Sequence, residues 1–122
     1  MQASVAITQA DSLRANDIRS EVKYAWLCQI DGQIYEEIMK GREGCPDYSP
    51  ENKMEHTREL LVPEPYAMDF YVHYLHSQID LYYDEPGKFN QDALLFEAAR
   101  ERFREHWCST HRIIRNKNYY RF

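Results

Sequence analysis

Residues 18–40, IRSEVKYAWLCQIDGQIYEEIMK, decide the fold class. Ile18, Val22, Trp26, Ile30, Ile34 and Ile38 recur at every fourth position, and Ala25 and Leu27 widen the same stripe. Side chains four apart lie above one another on an α-helix, so the spacing predicts one long helix with an apolar face. A repeat of four drifts slowly around a turn of about 3.6 residues, and the face is expected to wrap across more than one neighbour. Gly32 interrupts the pattern at a cost of about 1 kcal/mol relative to Ala, which close approach of another backbone would justify. Gly41 is a natural helix stop.

The neighbouring segments read as further helices. Residues 4–14 suit a short helix with Ile7 and Ala10 through Leu13 on one stripe, and Asn16 or Asp17 offers an N-cap for the helix that follows. Residues 41–59, GREGCPDYSPENKMEHTRE, form a long polar connection with two Gly and two Pro, and residues 41–58 are expected to be the most mobile internal segment. Leu60-Leu61-Val62-Pro63 is a short apolar run suited to extended backbone, and Pro63 and Pro65 favour an extended entry into the next element. Residues 66–84 predict a second long helix with a core stripe of Met68, Val72, Leu75, Ile79 and Tyr82. Tyr66, Phe70, Tyr71, Tyr74 and Tyr83 spread aromatic surface beyond that stripe. Such a helix is either central or faces a partner, which makes Phe70, Tyr71, Tyr74 and Tyr83 candidates for a subunit interface. Asp84 to Gly87 reads as a turn. Residues 88–110 predict a third long helix on Phe89, Ala93, Phe96, Ala99, Phe103 and Trp107, with Glu97, Arg100, Glu101 and Arg104 on its solvent side.

The expected fold is therefore all-α: a small helical bundle of three long helices and a short N-terminal helix over residues 1–111, with an extended tail over 112–122. Trp26, Ile30, Ile34, Val72, Leu75, Ile79, Phe96 and Phe103 are expected to be mutually buried. A chain of 122 residues with 43% hydrophobic and 29% charged side chains can bury such a core in one domain. The ten Tyr serve half-buried helix faces and protein interfaces alike.

Net charge is −5, which disfavours indiscriminate duplex binding. The charge is split: residues 1–111 carry 11 basic and 20 acidic side chains, whereas residues 112–122 carry Arg112, Arg115, Lys117 and Arg121 and no acid. The body is thus at −9 and the tail at +4. Cys28, Cys45 and Cys108 are odd in number and lack paired spacing, so a disulfide framework is not expected and a reducing, cytoplasm-like compartment fits better. No run has the length and apolarity of a membrane span, and the N-terminus lacks the pattern of a signal peptide.

No catalytic constellation emerges. His73 and His76 lie three apart on a predicted helix, and Cys108 and His111 have Cys-x-x-His spacing at a helix end, but zinc needs further ligands in both cases. His106 points away from Cys108, and Cys28 beside Trp26 and Leu27 reads as a small packed residue. The acid pairs Glu36–Glu37 and Asp84–Glu85 fall on a helix face and in a turn, where solvation rather than acid–base work is the simpler reading. Neither a glycine-rich phosphate loop nor a Gly-x-Ser-x-Gly elbow occurs. A non-enzymatic protein without cofactor or bound metal is the expectation.

The tail has three readings. Arg112, Arg115, Lys117 and Arg121 interleaved with Tyr119, Tyr120 and Phe122 match a phosphate-plus-stacking strip for nucleic acid. The same residues suit docking on an acidic protein surface, with Ile113 and Ile114 adding apolar hold. A solvated chain end is the plain alternative.

Trp26-Leu27 with Asp31-Gly32-Gln33-Ile34-Tyr35-Glu36-Glu37-Ile38, Glu59-Leu60-Leu61-Val62-Pro63-Glu64-Pro65-Tyr66, and Tyr71-Val72-His73-Tyr74-Leu75 with Ile79-Asp80 and Tyr82-Tyr83 carry a resemblance. Together with the phenylalanine-rich last helix ending near Trp107 and Thr110-His111, they resemble a small protein of the head-morphogenesis clusters of tailed phages and prophages of Gram-positive bacteria. The resemblance spans roughly residues 15–111, and Leu-Leu-Val-Pro-Glu-Pro-Tyr is its most specific part. That family is similar to the head–tail adaptor, or connector, proteins. The resemblance implies a helical bundle that assembles as a homo-oligomeric ring under the portal protein and extends a C-terminal segment onto it. It also implies a neck or tail-completion protein as a second neighbour and no catalytic residues. DNA would pass through without specific binding, and the location would be the virion neck, reached from the host cytoplasm during assembly. The longer 41–59 loop and the basic tail depart from the pattern. A small nucleic-acid-binding or regulatory phage protein using its basic tail is the alternative function.

Overall fold

A computed structural model describes residues 1–48 and 57–114. Helix accounts for 68% of it and strands are absent among the described residues, so the all-α class holds. The helices are α1 (Ala3–Leu13), α2 (Ser20–Ile34), α3 (Ala67–Tyr82) and α4 (Pro86–Thr110). A π-helical turn, Tyr35–Met39, prolongs α2, with Lys40 N–H donating to the Tyr35 carbonyl at 2.8 Å. This wider turn lets the consecutive Ile38 and Met39 both face the core. Gly41 then ends the helix at φ +81°, a left-handed conformation that suits glycine.

Helix α2 begins at Ser20 with Arg19 at its N-cap position and no side-chain cap. Asn16 instead accepts the Ile18 N–H at 3.1 Å in a local turn before the helix, so neither Asn16 nor Asp17 caps it. The buried face of α2 runs through Lys23, Leu27, Ile30, Asp31 and Ile34. Val22 and Trp26, expected in the core, are only half-buried, and Ala25 is exposed. Two charged residues displace them because each has a partner. Lys23 Nζ reaches both oxygens of Asp11 on α1 at 2.9 and 2.8 Å. Asp31 is held by Tyr71 and the Leu61 backbone.

Helix α3 is buried nearly all round, with Phe70, Tyr71, Val72, Tyr74, Leu75, His76, Ser77, Ile79 and Asp80 inside. The excess aromatics thus mark a central helix. Its most extensive partner is α4, which returns antiparallel after a turn where Asp84 takes φ 54° and Pro86 opens the new helix. Phe70 packs against Tyr71, Phe96 and Phe103 at centroid distances of 4.9, 5.1 and 6.4 Å. Ala99, Phe103 and Trp107 are buried as the α4 stripe requires, while Phe89, Ala93 and Phe96 are half-buried. Of the residues expected to be mutually buried, Ile30, Ile34, Leu75 and Phe103 share the main core cluster, Trp26 and Phe96 lie at its margin, and Val72 and Ile79 are buried outside it. Met68 is half-buried, and Tyr82 lies outside the core altogether, 60% exposed.

The run before α3 closes the core from one side. Leu60 and Val62 are buried, and residues 58–60 pair with the N-terminus through an antiparallel bridge between Gln2 and Glu59. A turn with a cis Glu64–Pro65 peptide, rather than extended backbone, leads into α3. The connection after Gly41 is better anchored than its composition implies. Tyr48 packs its ring tilted against Tyr35 at 5.3 Å, donates its hydroxyl to the Cys28 carbonyl at 3.2 Å and carries the Arg58 guanidinium over its ring. A Cβ on Gly32 would meet that hydroxyl at 3.3 Å, so the close neighbour at Gly32 is a side chain and not a backbone. Residues 49–56 of the same connection lie outside the described residues.

Candidate partner-docking surface

The C-terminal segment leaves the helices from a built root. Helix α4 ends at Thr110, and His111 stacks flat on Trp107 with centroids 3.5 Å apart. Arg42 Nη1 donates to the carbonyls of His111 at 2.9 Å and Cys108 at 3.4 Å, satisfying the end of α4. Past His111 the backbone pairs with the segment after α2: Glu43 N–H donates to the Arg112 carbonyl, and Ile114 N–H donates to the Gly41 carbonyl, both at 2.8 Å. Arg42 and Ile113 face each other in an antiparallel bridge. Gly44 fits beneath this corner at φ +77°, where a Cβ would lie 3.1 Å from His111 Cδ2.

This pairing exposes apolar surface. Ile113 and Ile114 are 62% and 59% accessible, beside a shallow groove formed with Ile38, Lys40, Arg104 and Cys108. Arg112, Ile113 and Ile114 thus sit together at one end of the antiparallel α3–α4 pair. Arg115, Lys117, Tyr119, Tyr120, Arg121 and Phe122 lie outside the described residues. A second exposed apolar group, Leu81, Tyr82 and Tyr83, occupies the other end of that pair. Tyr83 hydroxyl accepts the Asp17 N–H there at 3.0 Å. Of the four aromatics proposed for a subunit interface, Phe70, Tyr71 and Tyr74 are buried in the chain's own core. They offer no free surface, and Tyr83 alone does.

Two buried polar clusters tie the helices together, and both escaped the reading of the sequence. In the first, Tyr71 hydroxyl donates to Asp31 Oδ1 at 2.5 Å and accepts the Val62 N–H at 2.9 Å, while Leu61 N–H donates to Asp31 Oδ2 at 3.2 Å. This ties α2, the 60–63 run and α3 together. Burial pushes the Asp31 carboxyl up to about 6, with the Tyr71 hydroxyl working against that rise. Burial likewise raises the Tyr71 phenol well above its usual value, and the Asp31 charge adds to it.

In the second cluster Arg14 Nη1 bridges Asp80 Oδ1 at 2.6 Å and Asp92 Oδ2 at 2.5 Å, joining the end of α1 to α3 and α4. Burial and the neighbouring Asp92 push Asp80 up to about 6. For Asp92 burial acts in the same upward direction, but hydrogen bonds with Asp80 and Arg14 outweigh it and hold the carboxyl below the usual range. Around the shared Arg14 guanidinium Asp92 thus lies below and Asp80 above the ordinary carboxylate range. His76, buried beside them, hydrogen-bonds the Ala10 carbonyl at 3.1 Å, and His73 Nδ1 is buried without a hydrogen-bond partner. The signal for both clusters was a charged residue on an otherwise apolar face, such as Asp31 four after Leu27.

No family model, curated protein or solved structure matches this chain. The free cysteines Cys28, Cys45 and Cys108 are half-buried. Among the described residues no helix is long and apolar enough to cross a membrane.

Proposed function

We propose that this chain is a non-enzymatic structural adaptor of a phage neck, a head–tail connector that docks on the portal through its C-terminal segment and assembles as a ring. On this reading it is a helical bundle of three long helices with a short N-terminal helix, extended by a basic, aromatic tail. The observation that carries the reading is the root at Arg112–Ile114. There a +4 segment leaves an otherwise −9 chain beside two exposed isoleucines and a groove. Basic groups steer encounter with an acidic surface, and apolar groups supply the hold once desolvated.

A closed ring needs two different surfaces on each subunit. The Leu81–Tyr83 end supplies one exposed candidate and the Ile113–Ile114 end another, separated by the length of α4, roughly 37 Å for its 25 residues. A negative body also suits a ring through which DNA slides, because acidic walls repel phosphates. Electron microscopy of the full chain mixed with purified portal provides the test. An added ring of density at the portal is expected. Salt-sensitive retention on DNA, with no portal assembly, would instead favour a nucleic-acid-binding protein.

A further inference from the structure

We propose that His73, His76 and Asp92 form a binding site for a divalent transition metal, zinc being the ion that their donor set suits. One ligand atom from each lies within 4.8 Å of the others, where α3 faces α4. The two histidines alone were insufficient on sequence grounds, since zinc takes three or four ligands. The fold adds the missing carboxylate from a helix sixteen residues further along the chain. Two imidazoles and one carboxylate constitute a familiar N/O donor set for zinc.

Three observations give the cluster the character of a site. His73 Nδ1 is buried and has no hydrogen-bond partner, a costly state that coordination would relieve. The Ala10 carbonyl can only accept, so His76 uses Nε2–H to bond it, which leaves the lone pair on Nδ1. That backbone bond is the outer-shell support that orients a ligating histidine. Arg14 fixes Asp92 through Oδ2 and so orients the second carboxylate oxygen. Arg14 also contacts Asp80 at 2.6 Å, so its charge is shared between two carboxyls. Zinc bonds of about 2.0 Å in a tetrahedron place donors about 3.3 Å apart, so ligation draws the three groups together by roughly 1–1.5 Å. Side-chain rotation covers that movement. The bound ion would clasp α3 to α4 beside the end of α1 and act as a structural metal, with water in the fourth position.

Isothermal titration of the full chain with zinc chloride in a non-chelating buffer tests the proposal. One equivalent is expected to bind, and a hundredfold excess over Kd is expected to raise the melting midpoint by about 10 °C. His73 is only half-buried, so His73→Ala and His73→Gln are expected to stay folded by circular dichroism and to lose ~100-fold in zinc affinity. Cys108→Ala combined with His111→Ala is expected to leave binding unchanged. Cobalt(II) in place of zinc is expected to give visible bands without thiolate charge transfer. The proposal is overturned by absence of zinc uptake, by full affinity in both His73 variants, by loss of binding in the Cys108/His111 variant, or by a thiolate–cobalt band.

Discussion

Tyr71→Phe removes one oxygen atom and undoes two buried contacts at once. Tyr71 is fully buried, and its hydroxyl donates to Asp31 Oδ1 and accepts from Val62 N–H. Without it, the Val62 N–H is left unpaired and Asp31 keeps only the Leu61 N–H. Each buried group deprived of its partner costs roughly 1–3 kcal/mol, so the variant should lose ~3 kcal/mol of stability. The pH profile supplies a second readout. Asp31 titrates near 3.8 when unfolded and at about 6 when folded. The folded chain therefore holds a proton in this window that the unfolded chain has released. Stability is fully present on the acid side of 3.8, falls as pH rises toward about 6, and levels above it. The difference corresponds to ~3 kcal/mol from this residue. Because the Tyr71 hydroxyl lowers the Asp31 value, Tyr71→Phe should carry the decline to higher pH, whereas Asp31→Asn should remove this part of it. Urea denaturation from pH 4 to pH 8 measures all three proteins. A Tyr71→Phe loss below about 1 kcal/mol with the wild-type pH profile would refute the reasoning.

Other substitutions probe separate parts of the fold. Arg14→Met leaves the Asp80 and Asp92 carboxyls without their shared cation, and urea denaturation at pH 7 should show a loss of ~3–5 kcal/mol. Gly44→Ala meets both a left-handed backbone and the His111 ring, and should cost ~1–3 kcal/mol in a thermal melt. Gly87→Ala, in the first turn of α4 with open space around its Cβ, should be neutral or stabilising by up to about 1 kcal/mol. Phe103→Ala should cost ~3–5 kcal/mol and Trp26→Ala clearly less, because Phe103 is fully buried and Trp26 only partly. Equal losses for these two would place Trp26 back in the core.

The helices were legible in the sequence because four-residue spacing and Gly and Pro punctuation are local signals. Ile30, Ile34 and Ile38 fell on the buried face as expected, and Gly41 ended the helix. The same spacing misplaced Val22 and Trp26, because periodicity alone cannot register that Lys23 and Asp31 find buried partners from α1 and α3. Hydropathy scores such residues as solvent-facing, whereas a paired charge can occupy the core. The aromatic surplus of α3 was visible, but whether it faced a partner subunit or this chain's own helices depended on packing. The third member of the His73–His76 cluster was invisible for a similar reason. Asp92 lies on the next helix, and only the antiparallel return of α4 brings it across. The pairing of residues 112–114 with 41–43 is also non-local, and it ties down the start of the segment that the sequence marks as an extended tail.

The portal affinity of a chain ending at Ile114 tests the proposed role most directly. This truncation keeps the paired root and removes Arg115, Lys117, Tyr119, Tyr120, Arg121 and Phe122, lowering the tail charge from +4 to +1. Binding of the full and shortened chains to purified portal would be followed across a salt series, with melting curves as the folding control. The shortened chain is expected to melt like the full chain, to lose portal assembly, and to lose the salt dependence that steering by basic groups confers. Unchanged affinity and salt dependence in a folded, shortened chain would contradict docking through the C-terminal segment.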